Sequence, residues 1–148
     1  MKLVLQCVSR ASCTVDDKIT GEIAKGYMIL VGISNEDNKE TVKKMAQKVF
    51  KLRVFPDENG KLNLSIKDVG GAILSISQFT LYADASIGNR PSFMKANKGE
   101  EANHLYETFN KELEELGVRV EKGIFGAHMH INLINEGPIT IILDSKEL

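Results

Sequence analysis

Residues 26–33 read Gly-Tyr-Met-Ile-Leu-Val-Gly-Ile, a short apolar run bounded by glycines. Such a run suits a strand buried on both faces, which places it centrally in a sheet. Ahead of it, Lys2 to Ser9 alternates loosely around Leu3, Leu5 and Cys7, and Asp16-Asp17 stand as turn formers between Val15 and Ile19. That pattern predicts a strand followed by a hairpin.

After the run the periodicity changes. Ser34 and Asp37 have capping-box spacing, and Val42, Met45, Ala46, Val49 and Phe50 fall at helical intervals, predicting an amphipathic helix that ends near Leu52. Lys44, Lys48 and Lys51 share its other face and read as a solvated surface. Pro56 to Gly60 is a turn by composition, and Gly70-Gly71 breaks the chain before a strand predicted from Ala72 to about Tyr82. Ala102, Leu105, Tyr106, Phe109, Leu113 and Leu116 form the stripe of a second helix, with Gly117 as its stop. Val118 to Glu121, Ala127 to Ile134 and Ile139 to Asp144 then read as three strands, the last two separated by a turn at Asn135-Glu136-Gly137-Pro138. Strand runs with two helices between them predict one α/β domain over residues 1–148: a mixed, mainly antiparallel sheet with both helices covering one face.

A chain of 148 residues buries roughly 70% of its extended surface on folding, so it needs neither disulfides nor a structural metal. Nineteen basic against twenty acidic residues argue against a protein that grips long nucleic acid, DNA included, through many phosphates. Cys7 and Cys13 have no second pair to complete a zinc site, and two thiols make no disulfide framework, so a reducing, cytoplasmic setting is expected. No apolar stretch reaches the length of a membrane span, and no membrane partner is expected.

Candidate chemistry is sparse. His128 and His130 are two apart on a predicted strand and share a face, yet no third ligand stands at a suitable spacing. Neither a metal nor a cofactor is expected. Ser77-Gln78-Phe79-Thr80 interrupts a strong strand with polar groups. The Ser77 and Thr80 hydroxyls are candidate nucleophiles only if a base is near, and alternation puts them on opposite faces unless the strand ends or bulges there. A strand end also offers free backbone N–H groups that hold a developing oxyanion without side-chain help. Gly137-Pro138 reads locally as a turn, although proline also permits a cis bond. Gly88 to Phe93 reads as a loop whose Arg90 suits either a phosphate or a helix cap.

Ser77-Gln78-Phe79-Thr80-Leu81, Arg90-Pro91-Ser92-Phe93 and Asn135-Glu136-Gly137-Pro138-Ile139-Thr140 together resemble the D-aminoacyl-tRNA deacylases. Val8-Ser9-Arg10-Ala11-Ser12, Gly60-Lys61-Leu62-Asn63-Leu64 and Asp68-Val69-Gly70-Gly71 follow that family in the same order and spacing. The resemblance spans the chain. It implies a homodimer with active sites at the subunit interface, acting on the acceptor end of D-aminoacyl-tRNA and proofreading translation. By position, Ser77, Gln78, Phe79 and Thr80 would line the ester pocket, with N–H groups around Gln78 and Phe79 making the polar contacts. Gly137, Pro138, Phe79 and Met129 would contact substrate, the Gly137-Pro138 pair being cis and entering the partner's pocket to exclude L residues. Glycyl-tRNA, with no side chain to reject, would also pass.

The sequence departs from the family pattern at Cys7, where arginine is frequent, and at His128 and His130, where aspartate and glutamine are usual. Two other readings remain open at this point: a non-catalytic RNA-binding or dimeric interaction module on the same scaffold, and a metal-dependent hydrolase using the two histidines.

Overall fold

The computed structural model describes Met1–Leu148 throughout. Its organising element is β1 (Lys2–Val15), which is paired along both edges. On one side, β2 (Lys18–Ile23) pairs with Ala11–Val15 and β3 (Gly26–Gly32) with Lys2–Val8, both antiparallel. On the other side β8 (His130–Asp144) runs antiparallel to β1 from Thr14 back to Lys2. Beyond β3 lie β6 (Ala72–Ser77) and β7 (Val120–Lys122), each parallel to its neighbour. The sheet is therefore mixed, with three antiparallel and two parallel pairings.

The hairpin predicted at Asp16-Asp17 is present as a two-residue turn with both residues at positive φ, 49° and 63°, the geometry that matches strand twist. α1 (Lys39–Lys51) and α2 (Glu100–Glu115) both pack on one face. Val42, Met45, Ala46 and Val49 from α1 meet Leu105, Tyr106, Phe109 and Leu113 from α2 over Leu3, Leu5, Tyr27, Ile29 and Ile73. α2 ends where expected: Gly117, at φ +97°, lets Val118 N–H reach Leu113 O and Gly117 N–H reach Glu114 O, which satisfies two terminal carbonyls.

The other face is covered by the sheet itself. β1 bends at the exposed Ser9 and Arg10, where its register against β8 shifts. Its later half, with β2 and the start of β8, then closes over Met28, Leu74 and Ile76 to form a second core containing Val8, Ala11, Cys13 and Ile23. At Gly21 the chain passes so near β7 that an added Cβ would lie 2.9 Å from Lys122 O. This double cover explains why β3 is apolar along its whole length.

Four elements differ from the sequence reading. The first helix begins later, capped by Asn38, whose Oδ1 accepts from Thr41 N–H at 3.0 Å. Asp37 is used elsewhere. An unanticipated hairpin, β4 (Arg53–Pro56) with β5 (Leu62–Ser65), flanks the Pro56 to Gly60 turn. β6 stops at Ser77 rather than continuing to Tyr82, and Phe79–Tyr82 turns into a short 3-10 helix. The two last strands are one, because Asn135 to Pro138 does not reverse the chain: Asn135 pairs with Val8 and Thr140 with Gln6, so residues 136–139 loop out of a continuous strand. No helix is long and apolar enough to cross a membrane.

Asp37 is nearly buried and binds the α-ammonium of Met1 at 2.5 Å and the Ser34 N–H at 2.7 Å, while Ser145 Oγ accepts from the same ammonium at 2.7 Å. A buried charge that loses its counterion is far costlier than an exposed one. Asp37→Asn, which keeps the shape and removes the charge, is expected to lower unfolding free energy by about 3 kcal/mol in urea titration.

Candidate active site

The carboxyl ends of the parallel pair β3 and β6 open onto a cavity of about 350 Å³. Its floor is Leu30, Val31, Ile33 and Ile76, and its polar wall is Ser77 and Gln78 with Phe79 above them. Asn97 and Lys98 enter from the segment before α2, and Phe125 to Met129 with Ile131 close the far side. Leu30 is the one residue of β3 that is only half-buried, and it faces this space. Gly123 lets Met129 lie close: a Cβ there would collide with Met129 Sδ.

The early end of β6 decides the local chemistry. Tyr106 on α2 donates its hydroxyl to Ser75 O at 2.7 Å and so fixes the strand directly before the cavity residues Ile76 and Ser77. Gln78 N–H donates to Val31 O at 2.8 Å and extends the parallel ladder by one step, so the expectation of Gln78 N–H as a free donor is corrected: it is already engaged. The Gln78 side chain remains on the wall. Phe79 and Thr80 open the 3-10 turn, and the first N–H groups of a helix have no partner within it. Thr80 is exposed, and no side chain forms a hydrogen bond with its hydroxyl or with that of Ser77.

Phe79 is 41% exposed yet held in place. Phe93 meets it edge to face with ring centroids 5.1 Å apart, and Lys98 Nζ lies 5.4 Å from its centroid. The Arg90 to Phe93 loop is tied back by paired backbone bonds between Asp84 and Ser92, each 2.8 Å. The loop thus reaches Phe79 through Phe93, and Arg90 itself is exposed. Nothing in the sequence marked Asn97, Lys98 or Phe125 to Ala127 as cavity residues, since they come from irregular segments without a periodic pattern.

Ser77, Gln78, Phe79 and Met129 are brought together, whereas Thr80, expected in the pocket, turns out to solvent with the 3-10 turn and does not line it, and Gly137 and Pro138 are not there either. That pair is exposed at the tip of the looped-out segment, and the Gly137-Pro138 peptide is cis. Beside it lies a second cavity of about 440 Å³, lined by Cys7, Val8, Ser9, Lys25, Phe55, Pro56, Glu136, Gly137 and Ile139.

Residues 4–144 match the family described as D-Tyr-tRNA(Tyr) deacylase. The chain belongs to that family. It is 56% identical over 147 residues to a D-aminoacyl-tRNA deacylase of Bacillus pumilus, covering 99% of this chain and all of that protein. It is 50% identical over 144 residues to the D-aminoacyl-tRNA deacylase of Deinococcus radiodurans, covering 97% and 99%. Among solved structures it superposes on one described as c-Myc DNA Unwinding Element Binding Protein with a TM-score of 0.91 at 40% identity, over 97% and 98% of the two chains. A probable eukaryotic D-amino acid tRNA deacylase, at TM-score 0.82 and 15% identity over 96% and 97%, shares the fold. The resemblance read from the six motifs, and the hydrolase class it implied, are borne out.

Cys7, His128 and His130, singled out in the sequence, now have a setting. His128 lines the cavity, its ring 5.0 Å from that of His130, and no third His, Cys, Asp or Glu joins them in a cluster able to hold a metal. Cys7 lines the second cavity, 3% exposed, where burial pushes its thiol up to about 11, against a smaller opposing pull from Lys25. At pH 8 the reactive thiolate is then a small minority, and the buried sulfur is shielded as well. Native protein is expected to leave Cys7 unmodified by a thiol reagent at pH 8, with reaction appearing once the chain is unfolded.

Proposed function

We propose that this deacylase hydrolyses the ester between a D-amino acid and the terminal adenosine of tRNA, with the aminoacyl end seated in the Ser77 to Met129 cavity. The observation that carries the reading is the cavity's position and lining in a chain that matches deacylases along its length: a polar strand end and a fixed aromatic ledge. A volume of about 350 Å³ suits a small ligand group rather than a helix or a duplex.

Hydrolysis adds water oxygen to the ester carbonyl and breaks the bond to the ribose oxygen, which leaves with a proton. The products are free tRNA and the amino acid. An aminoacyl ester is already activated by its neighbouring 2′-hydroxyl, which can pass the proton to the departing oxygen. The protein then needs to orient the ester and steady the charge that builds on its carbonyl oxygen. The first N–H groups of the 3-10 turn that opens at Phe79 have no partner within that turn and are suited to that task, each such donor being worth about 3 to 4 kcal/mol in the transition state. Phe79, braced by Phe93 and Lys98, offers a face for the terminal base.

Stereochemical choice is assigned to the Gly137-Pro138 loop of a second copy in a homodimer. Its exposure and its separation from the cavity of its own chain support insertion elsewhere. Main-chain carbonyls at the substrate α-carbon would collide with an L side chain and leave a D side chain free. Because backbone atoms do the excluding, many D residues would be accepted, and glycine would pass too. Contact with one acceptor end, in the cytoplasm where charged tRNA is used, asks for few phosphate contacts, in keeping with the net charge of -1.

Purified protein is expected to release D-tyrosine from D-tyrosyl-tRNA and to leave L-tyrosyl-tRNA intact; equal rates, or tRNA retained without turnover, would remove the proposal. Thr80→Ala deletes the hydroxyl but keeps the N–H, so kcat/KM for D-tyrosyl-tRNA is expected to stay within about tenfold of the parent. A loss of several thousandfold with the fold intact would instead make Thr80 the nucleophile.

A further inference from the structure

The looped-out segment between Asn135 and Thr140 leaves the β1–β8 ladder with a gap. Gln6 pairs with Thr140 and Val8 with Asn135, so Cys7 has no partner on β8. A carbonyl left unpaired there, inside a half-buried region, would be costly. One side chain fills the gap. Asn135 Nδ2 donates to Cys7 O at 2.9 Å across the ladder and to Ile139 O at 3.0 Å across the neck of the loop. Its Oδ1 accepts from Gln6 Nε2 at 3.1 Å and from Thr140 Oγ1 at 3.2 Å.

Both donors and both acceptor sites of this amide are therefore used, which fixes its orientation without ambiguity. The four partners come from β1, from the neck of the loop and from the first residue after it. The same Thr140 hydroxyl lies 3.3 Å from Pro138 O, and its single proton can serve either oxygen. The position of the Pro138 carbonyl is thus coupled to the amide through Thr140.

We propose that Asn135 is a positioning residue for stereochemical selection: its amide sets the height and tilt of the Gly137-Pro138 tip, with Gln6 and Thr140 holding the amide. The inference rests on the reading of that tip as the element that rejects L substrates. Asn135 touches neither the cavity nor the reacting atoms, so loosening it should blur discrimination before it lowers turnover of the favoured substrate. An error of about 1 Å in a rejecting group is enough to admit what it excludes, because steric repulsion is steep.

The substitution that tests this is Asn135→Asp. It keeps the side-chain shape, removes both donors and sets a carboxylate against two carbonyls. The expected result is a rise of about tenfold or more in kcat/KM for L-tyrosyl-tRNA relative to D-tyrosyl-tRNA, with the D value changed by less than about threefold. A role in stability alone predicts lower thermal midpoint and an unmoved ratio, or D and L rates falling together; either result overturns the inference. Should Asn135→Asp not fold, Thr140→Val and Thr140→Ser decide the matter. The valine, which lacks the donor, is expected to shift the ratio in the same direction and the serine, which keeps it, to preserve selectivity; identical ratios in the two overturn the inference.

Gly137→Ala separates this from the underlying reading. At φ +111°, with an added Cβ 2.7 Å from Ile139 Cγ1, alanine displaces the tip whatever Asn135 does. If that variant keeps full discrimination, the tip does not select and the inference falls with the reading. If its ratio moves while that of Asn135→Asp does not, the inference alone is lost.

Discussion

The structure depends on one strand being satisfied along both edges. β1 carries β2 and β3 on one side and β8 on the other, so its backbone groups have partners over nearly its whole length. The bend at Ser9 and Arg10 then lets one sheet serve two cores, one under the helices and one inside its own curl. Loss of the bend would leave Met28, Leu74 and Ile76 facing water, at roughly 25 cal/mol for each Å² of apolar surface uncovered.

That arrangement also creates the site. Where the parallel strands β3 and β6 end, the ladder stops while both cores continue, and the space left is walled by apolar floor residues and polar strand termini. β6 does not extend to Tyr82 because the 3-10 turn takes over at Phe79, and the chain changes direction at the edge of the cavity. In the function proposed above, the site works through main-chain geometry more than through reactive side chains. Such a site gains little from altered side-chain pKa values, and the large upward shifts in this protein fall on Cys7, Tyr27 and Tyr82, groups raised first of all by burial.

The loop at Gly137-Pro138 follows the same logic at the opposite edge of β1. A strand that keeps its register on either side of an insertion must expel the extra residues, and the expelled tip projects outward from a rigid base. Asn135 turns what would be a defect in the ladder into a fixed mount. In the role proposed for the tip, such support matters, since a mobile group would yield to the substrate it should refuse.

Much of this was legible in the residues. The apolar run at 26–33, the stripes of both helices, the turns at Asp16-Asp17 and Gly117 and the mixed sheet follow from periodicity and turn chemistry, which act within a few residues of one another. The six motifs determined the family. What only the folded chain decided depends on contacts between distant segments: Asp37 serving the α-ammonium rather than a helix cap, Gln78 N–H spent on Val31, and Asn97, Lys98 and Phe125 meeting over the strand ends. The clearest case is Asn135 to Pro138, whose composition reads as a turn. Local sequence reports a bend equally well for a reversal and for a bulge, and only the register of β8 against β1 on both sides tells them apart.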